Sequence, residues 1–168
     1  MRSDARDDGD ETSPERRCEE CGAPLAEGAT CRDAFDALLT LEWTLGGVGA
    51  LAHFHAVASW QLQHPVASGL TAASYAALAQ SVAESLDGRA TIADVRRGMR
   101  ASSDGATRVT RRDGDPVPVA PATWTMTIGD VLAADHDVAS YAAAVARWAA
   151  AAVTVSPTRV AASAPRRR

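Results

Sequence analysis

The sequence predicts an all-α domain, a four- to five-helix bundle with a turn of cysteines at its N-terminal end. Three observations carry this expectation. Apolar residues make up 46% of the 168, yet only 5% are aromatic, so the core is built largely from alanine, the best helix former. Apolar positions recur at steps of three and four through several segments, the period of one helix face. Strong breakers cut those segments at Gly46-Gly47, Pro65 and Asp87-Gly88, and short links between helices favour antiparallel neighbours.

In chain order, residues 1–16 are charged throughout and read as a disordered acidic tail. Residues 17–153 form a single domain that opens with the cysteine turn, 17–31. There Gly22 can supply the positive φ of a tight turn, and Pro24 stiffens the exit. A first helix starts near Cys31, carries Phe35, Leu38, Leu39 and Glu42–Trp43 along one side, and ends before Gly46. The second is built around His53–His64 and begins near Val48 or Ala50. Its positions His53, Val57, Trp60 and His64 share one face. Pro65 steers His64 out of the α region and stops the helix.

A third helix runs from Thr71 to Leu86, with Tyr75, Leu78, Val82 and Leu86 inward and Gly88 as its stop. A fourth fits Ile92–Met99, with Thr91 as N-cap and Asp94 completing an aspartate form of the capping box. Residues 101–123 form a long loop with prolines at 116, 118 and 121, a length that is uncommon in a compact domain unless the loop is functional or disordered. A marginal hairpin around Asp113-Gly114 fits within it. Trp124 and Met126 pin the loop to the core, and Thr127 with Asp130 repeats the cap signature. The final helix spans His136 to Val153 and points Val138, Tyr141, Val145, Trp148 and Ala152 inward. Residues 154–168 read as a disordered basic tail.

A net charge of −4 without a basic stripe argues against a nucleic-acid surface. No run of 18 uncharged apolar residues predicts a membrane span, and the charged N-terminus lacks the apolar centre of a signal peptide. The expected compartment is the cytoplasm. An odd count of three cysteines there disfavours a disulfide framework and leaves metal binding, redox chemistry or plain burial.

Metal binding has the strongest pattern. Cys18 and Cys21 are spaced C-x2-C, and Cys31 follows after nine intervening residues. Zinc takes four tetrahedral ligands from thiolates and imidazoles, and such a pair chelates from one turn, so the segment is zinc-knuckle-like. The fourth ligand comes from His53, His55, His64 or His136, and His53 is favoured because its helix is nearest in sequence. Eleven steps of about 1.5 Å put His64 roughly 16 Å from His53, too far to share an ion. His64 with Gln63 therefore forms a possible second site at the helix end, while His55 points about 200° round the helix. A redox pair is the rival reading, but reactive C-x-x-C pairs sit at helix N-termini, and Glu19 and Glu20 between these thiols would raise their pKa. The glycines at 46, 47 and 49 lack the lysine and serine or threonine of a phosphate loop, and no H-E-x-x-H is present.

The ordered set C-x-x-C-G-A-P, C-x3-F, H-x10-H-P with Gln63 before its second His, and W-x-M-T-I-x-D-V at Trp124–Val131 resembles an uncharacterised family of small bacterial proteins, a domain of unknown function. The resemblance covers residues 18–150. Trp60 and Ala58 stand where its members usually carry a tyrosine and an acid. It implies that Cys18, Cys21, Cys31, His53 and His64 belong to one coordinated set, and it supplies no reaction.

The leading functional expectation is a metal-binding helical module for an unknown protein partner, with zinc on Cys18, Cys21, Cys31 and His53. The alternative is a metal-dependent enzyme, using an open metal position or His64 as a base in a pocket under the 101–123 loop. A third is a metal-free helical adaptor whose cysteines are simply buried. A closed four-ligand site with His64 buried and bonded to backbone favours the module; His64 facing a polar pocket favours the enzyme.

Overall fold

The computed structural model describes residues 16–103, 108–118, 123–134 and 137–155. Two short strands, β1 (Arg16–Arg17) and β2 (Pro24–Leu25), pair antiparallel around the cysteine turn. Six helices follow among the described residues: α1 (Cys31–Leu45), α2 (Gly49–Gln63), α3 (Ala72–Leu86), α4 (Ile92–Ser103), α5 (Ile128–Leu132) and α6 (Val138–Val155). The fold is mostly helical as expected, and the helix beyond the expected four or five is the short α5 behind the Thr127 cap. The two expected disordered tails, apart from Arg16, Thr154 and Val155, lie outside the described residues.

Local chemistry sets the boundaries. Thr30 caps α1: its hydroxyl oxygen accepts the Asp33 N–H at 3.2 Å, and the Asp33 carboxylate accepts the Thr30 N–H at 2.7 Å. Gly46 and Gly47 close it at φ +58° and +73°, in the left-handed region that glycine enters without steric cost. Thr71 caps α3 through the Ser74 N–H at 3.2 Å. The α4 helix runs past Met99 to Ser103, beyond the sequence expectation; Arg100-Ala101 contains no breaker, and the first glycine downstream is Gly105.

The chain reverses at the glycines, so α1 and α2 lie antiparallel. Cys31 meets His64, Phe35 stacks on Trp60 and Glu42 meets His53. The partners advance along α1 by the same steps by which they retreat along α2. A third partner, α6, packs on α2, α3 and α5 and buries Tyr141, Val145, Trp148, Ala149 and Ala152. By length and composition α6 is apolar enough to cross a membrane, and 39% of it is buried inside the domain.

The α2 helix separates two core clusters. Ala52, Ala56 and Trp60 join the cysteine-end cluster with Phe35, Leu38 and Tyr141, whereas Phe54, Ala58 and Leu62 join Tyr75, Val82 and Val95 in the other. A helix packed on both sides loses its single apolar stripe. This corrects the expected inward face: His64 and Trp60 are buried, but the His53 side chain is 56% exposed.

The expected hairpin near Asp113-Gly114 forms its turn, with the Asp115 N–H donating to the Arg112 carbonyl at 3.0 Å. Its flanks do not pair with each other among the described residues. Thr110 instead bridges Leu70, while Arg111 N–H reaches the Gly69 carbonyl at 2.7 Å and Thr71 N–H the Val109 carbonyl at 2.9 Å. Docking on a buried segment satisfies those backbone groups better than a two-stranded ribbon facing water.

Candidate metal centre

The centre is assembled from three backbone devices. In the hairpin, the Cys18 N–H donates to the Ala23 carbonyl at 2.9 Å and the Gly22 N–H to the Cys18 carbonyl at 2.8 Å. Gly22 sits at φ +74°, the expected positive value, and the reversal brings both thiols to one side. Cys31 is the first residue of α1, and His64 is the residue that closes α2.

These four residues converge. The Cys18, Cys21 and Cys31 sulfurs and a His64 ring nitrogen all lie within 4.8 Å of one another. Cys21 Sγ is 3.5 Å from Cys31 Sγ, and His64 Nε2 is 3.0 Å from Cys31 Sγ and 3.6 Å from Cys18 Sγ. A tetrahedral zinc with usual bond lengths holds sulfurs about 3.8 Å apart, with nitrogen about 3.5 Å from each sulfur. The residues thus stand near those spacings, and the group could hold a metal ion.

The orientation of His64 is fixed from behind. Its Nδ1 lies 2.7 Å from the Trp60 carbonyl oxygen, which can only accept, so Nδ1 carries the hydrogen. Loss of the Nε2 proton then leaves a lone pair on the sulfur side. An imidazole held through one nitrogen with the other free is the usual arrangement of a metal-ligating histidine. The Trp60 ring stacks on the imidazole at 4.7 Å and on Phe35 at 4.8 Å, and the Arg32 guanidinium lies over Phe35 and Trp60.

Electrostatics favour a cation at this point. The hydrogen bond from Cys31 lowers the Cys21 thiol to about 4, against the opposing effect of burial, and His64 adds to the lowering. Cys31 is pushed strongly upward by that same bond, by burial, and by the neighbouring Cys21 and Cys18. Burial disfavours the His64 imidazolium, yet bonding to Cys21 and to the Trp60 carbonyl outweighs it and raises the group. Crowded thiolates repel one another in a buried site, and a divalent cation at their centre reverses that penalty.

The surrounding motif residues brace the ligands. Gln63, fully buried, donates from Nε2 to the Met126 carbonyl at 2.7 Å and accepts the Trp148 indole N–H at Oε1 at 2.9 Å. Trp124 donates its indole N–H to the Glu20 carbonyl at 3.0 Å, and the Glu20 carboxylate accepts the Val66 N–H at 2.6 Å. Asp130 accepts the Thr127 N–H at 2.6 Å and so caps α5. The Q-H-P and W-x-M-T blocks therefore sit on opposite sides of the same joint.

Two sequence expectations are corrected. His53 does not join the cysteines; its Nδ1 is 2.6 Å from Glu42 Oε2 at the other end of the α1–α2 pair. His64 takes that position because an antiparallel return brings the end of α2, not its start, back to Cys31. Gln63 and His64 consequently form no second site: one braces the cysteine group and the other belongs to it. His55 Nε2 lies 2.9 Å from Ser85 Oγ, and His136 lies outside the described residues. His64 is buried and bonded to backbone through Nδ1.

Sequence reasoning placed Glu42 on the apolar side of the first helix but gave it no partner; it is buried, and its Oε1 accepts the Tyr141 hydroxyl at 2.7 Å. The signal was present: Glu42 continues the helical stripe of Cys31, Phe35 and Leu38. Burial pushes the Tyr141 phenol well above its ordinary range, and Glu42 adds to the shift.

Comparison with known proteins finds one family. A sequence model described as "Family of unknown function (DUF5946)" matches residues 16–155. No curated protein and no solved structure matches the chain.

Proposed function

The chain belongs to DUF5946, a family of unknown function, and on that premise we propose that it is a cytoplasmic zinc-binding module whose metal is structural. Cys18, Cys21, Cys31 and His64 are the proposed ligands. The observation that carries this reading is the bond from His64 Nδ1 to the Trp60 carbonyl, which leaves Nε2 for a metal beside three sulfurs. Four protein ligands complete a tetrahedron, and structural zinc sites are closed in this way. Cys21, Cys31 and His64 are at most 7% exposed, which leaves little room for a substrate on the ion. A zinc here would join the hairpin, α1 and α2, and the module would present the surface so fixed to a protein partner.

The test is elemental analysis of the purified full-length chain beside Cys21→Ser. About one zinc per chain, lost in the variant together with thermal stability, is the expected result. No metal and three freely titrating thiols in the native protein would overturn it.

A second reading, a metal-dependent enzyme, draws on one feature. A cleft of about 600 Å³ lies beside the partly buried Cys18, between the hairpin and the 123–130 segment. Cobalt substitution separates the readings: a spectrum that stays tetrahedral and insensitive to added azide supports the closed site, and an azide-dependent change supports the enzyme.

A further inference from the structure

A second cleft, of about 200 Å³, lies away from the cysteines between α2, α3, α4 and the 109 segment. Its walls include Phe54, Leu70 and Val95, each under 9% exposed, together with Leu78 and Val109. Three polar side chains line the same cleft, Gln61, Ser74 and Ser81. The Ser74 hydroxyl is taken by Thr71 at 3.0 Å, whereas the side chains of Gln61 and Ser81 have no hydrogen-bond partner among the described residues. No charged side chain is part of the lining.

The third wall contains an unexplained glycine. Gly98 lies in the interior of α4, and a Cβ added there would meet nothing within 4 Å among the described residues. Glycine inside a helix costs about 1 kcal/mol relative to alanine. Neither backbone conformation nor close packing requires it here, because its φ is not positive. Gly98 is itself part of the lining of the cleft.

We propose that this cleft is a binding site for a small, neutral, mainly apolar molecule bearing one hydroxyl or similar hydrogen-bonding group. The apolar body would lie against Phe54, Leu70, Leu78, Val95 and Val109, and the polar group would pair with Gln61 and Ser81. Mostly apolar walls with a few converging polar groups are the usual make-up of such sites. The size is apt, since an engineered apolar cavity of about 150 Å³ binds benzene. An anion is disfavoured, because nothing in the lining would compensate a buried charge.

The experiment uses full-length protein with its native metal content, observed by 1H–15N correlation spectra. The probes are 4-propylphenol, propylbenzene and 4-propylbenzoate. The expected result is saturable shifts centred on Phe54, Leu70 and Val95 with 4-propylphenol, at least tenfold weaker binding of propylbenzene, and none of 4-propylbenzoate. Gly98→Leu should abolish phenol binding without loss of thermal stability, and Gln61→Leu should reduce it to the level of propylbenzene. The absence of saturable shifts with the phenol overturns the proposal. So does equal binding of phenol and propylbenzene, or unchanged phenol binding in folded Gly98→Leu.

Discussion

Cys31 Sγ and His64 Nε2 lie 3.0 Å apart although 33 positions separate them in the chain. One residue starts α1 and the other closes α2, so their meeting is a consequence of the antiparallel turn at Gly46-Gly47. The same turn carries His53 to Glu42, at the far end of the pair.

That geometry gives the two histidines opposite expected roles. His64→Ala should lose the metal, because it removes the nitrogen beside the sulfurs. His53→Ala should retain a full equivalent and change stability by less than about 1 kcal/mol, as for a partly exposed pair. Metal-to-protein ratios of the two variants check this. Retention by His64→Ala and loss by His53→Ala would reverse the assignment.

Gln63→Leu tests the brace behind the ligand. The variant keeps the bulk but leaves the Met126 carbonyl and the Trp148 indole N–H without their partner. Burial of two unsatisfied groups should cost about 2–4 kcal/mol. Urea unfolding measures it, and a loss below about 0.5 kcal/mol would show that the joint tolerates the change.

Glu42 and Tyr141 form a buried pair. Tyr141→Phe removes a donor to a carboxylate and should cost about 2 kcal/mol. In a His53→Ala background the loss should exceed the sum of the single effects, because the carboxylate then has neither partner. Additive losses in a double-mutant cycle would argue against a shared network.

His55 predicts the acid limit of stability. Ser85 Oγ donates to the Val82 carbonyl at 2.8 Å and therefore accepts from His55 Nε2–H. Burial holds the His55 pKa below its ordinary 6.5. Below that value the unfolded chain binds a proton that the folded chain does not, so this contribution is intact above pH 6.5 and is lost as pH falls toward the folded pKa. His55→Gln keeps a donor for Ser85 and removes the titration. Its stability should fall less than wild type between about pH 7 and about pH 5. Parallel pH profiles would mean that His55 charges equally easily in both states.

The sequence by itself determined that the fold is mostly helical and where most helices start, since caps and breakers depend on neighbours a few residues apart. Thr91 with Asp94 and Thr127 with Asp130 predict helix starts because each pair closes its hydrogen bonds within four residues. Gly22 marks the turn because few other residues adopt its φ. The three cysteines and the histidine type of the fourth candidate ligand were legible for the same reason: thiolate and imidazole are the donors zinc prefers.

Tertiary structure alone decided which histidine joins the cysteines. Proximity in sequence favours His53, but two helices of equal length joined by a reversal bring together the residues farthest apart along the pair. It also decided that Gln63 is a brace, because its partners Met126 and Trp148 come from segments 63 and 85 residues away. The cleft that Gly98 helps to line likewise follows only from how α2, α3 and α4 pack.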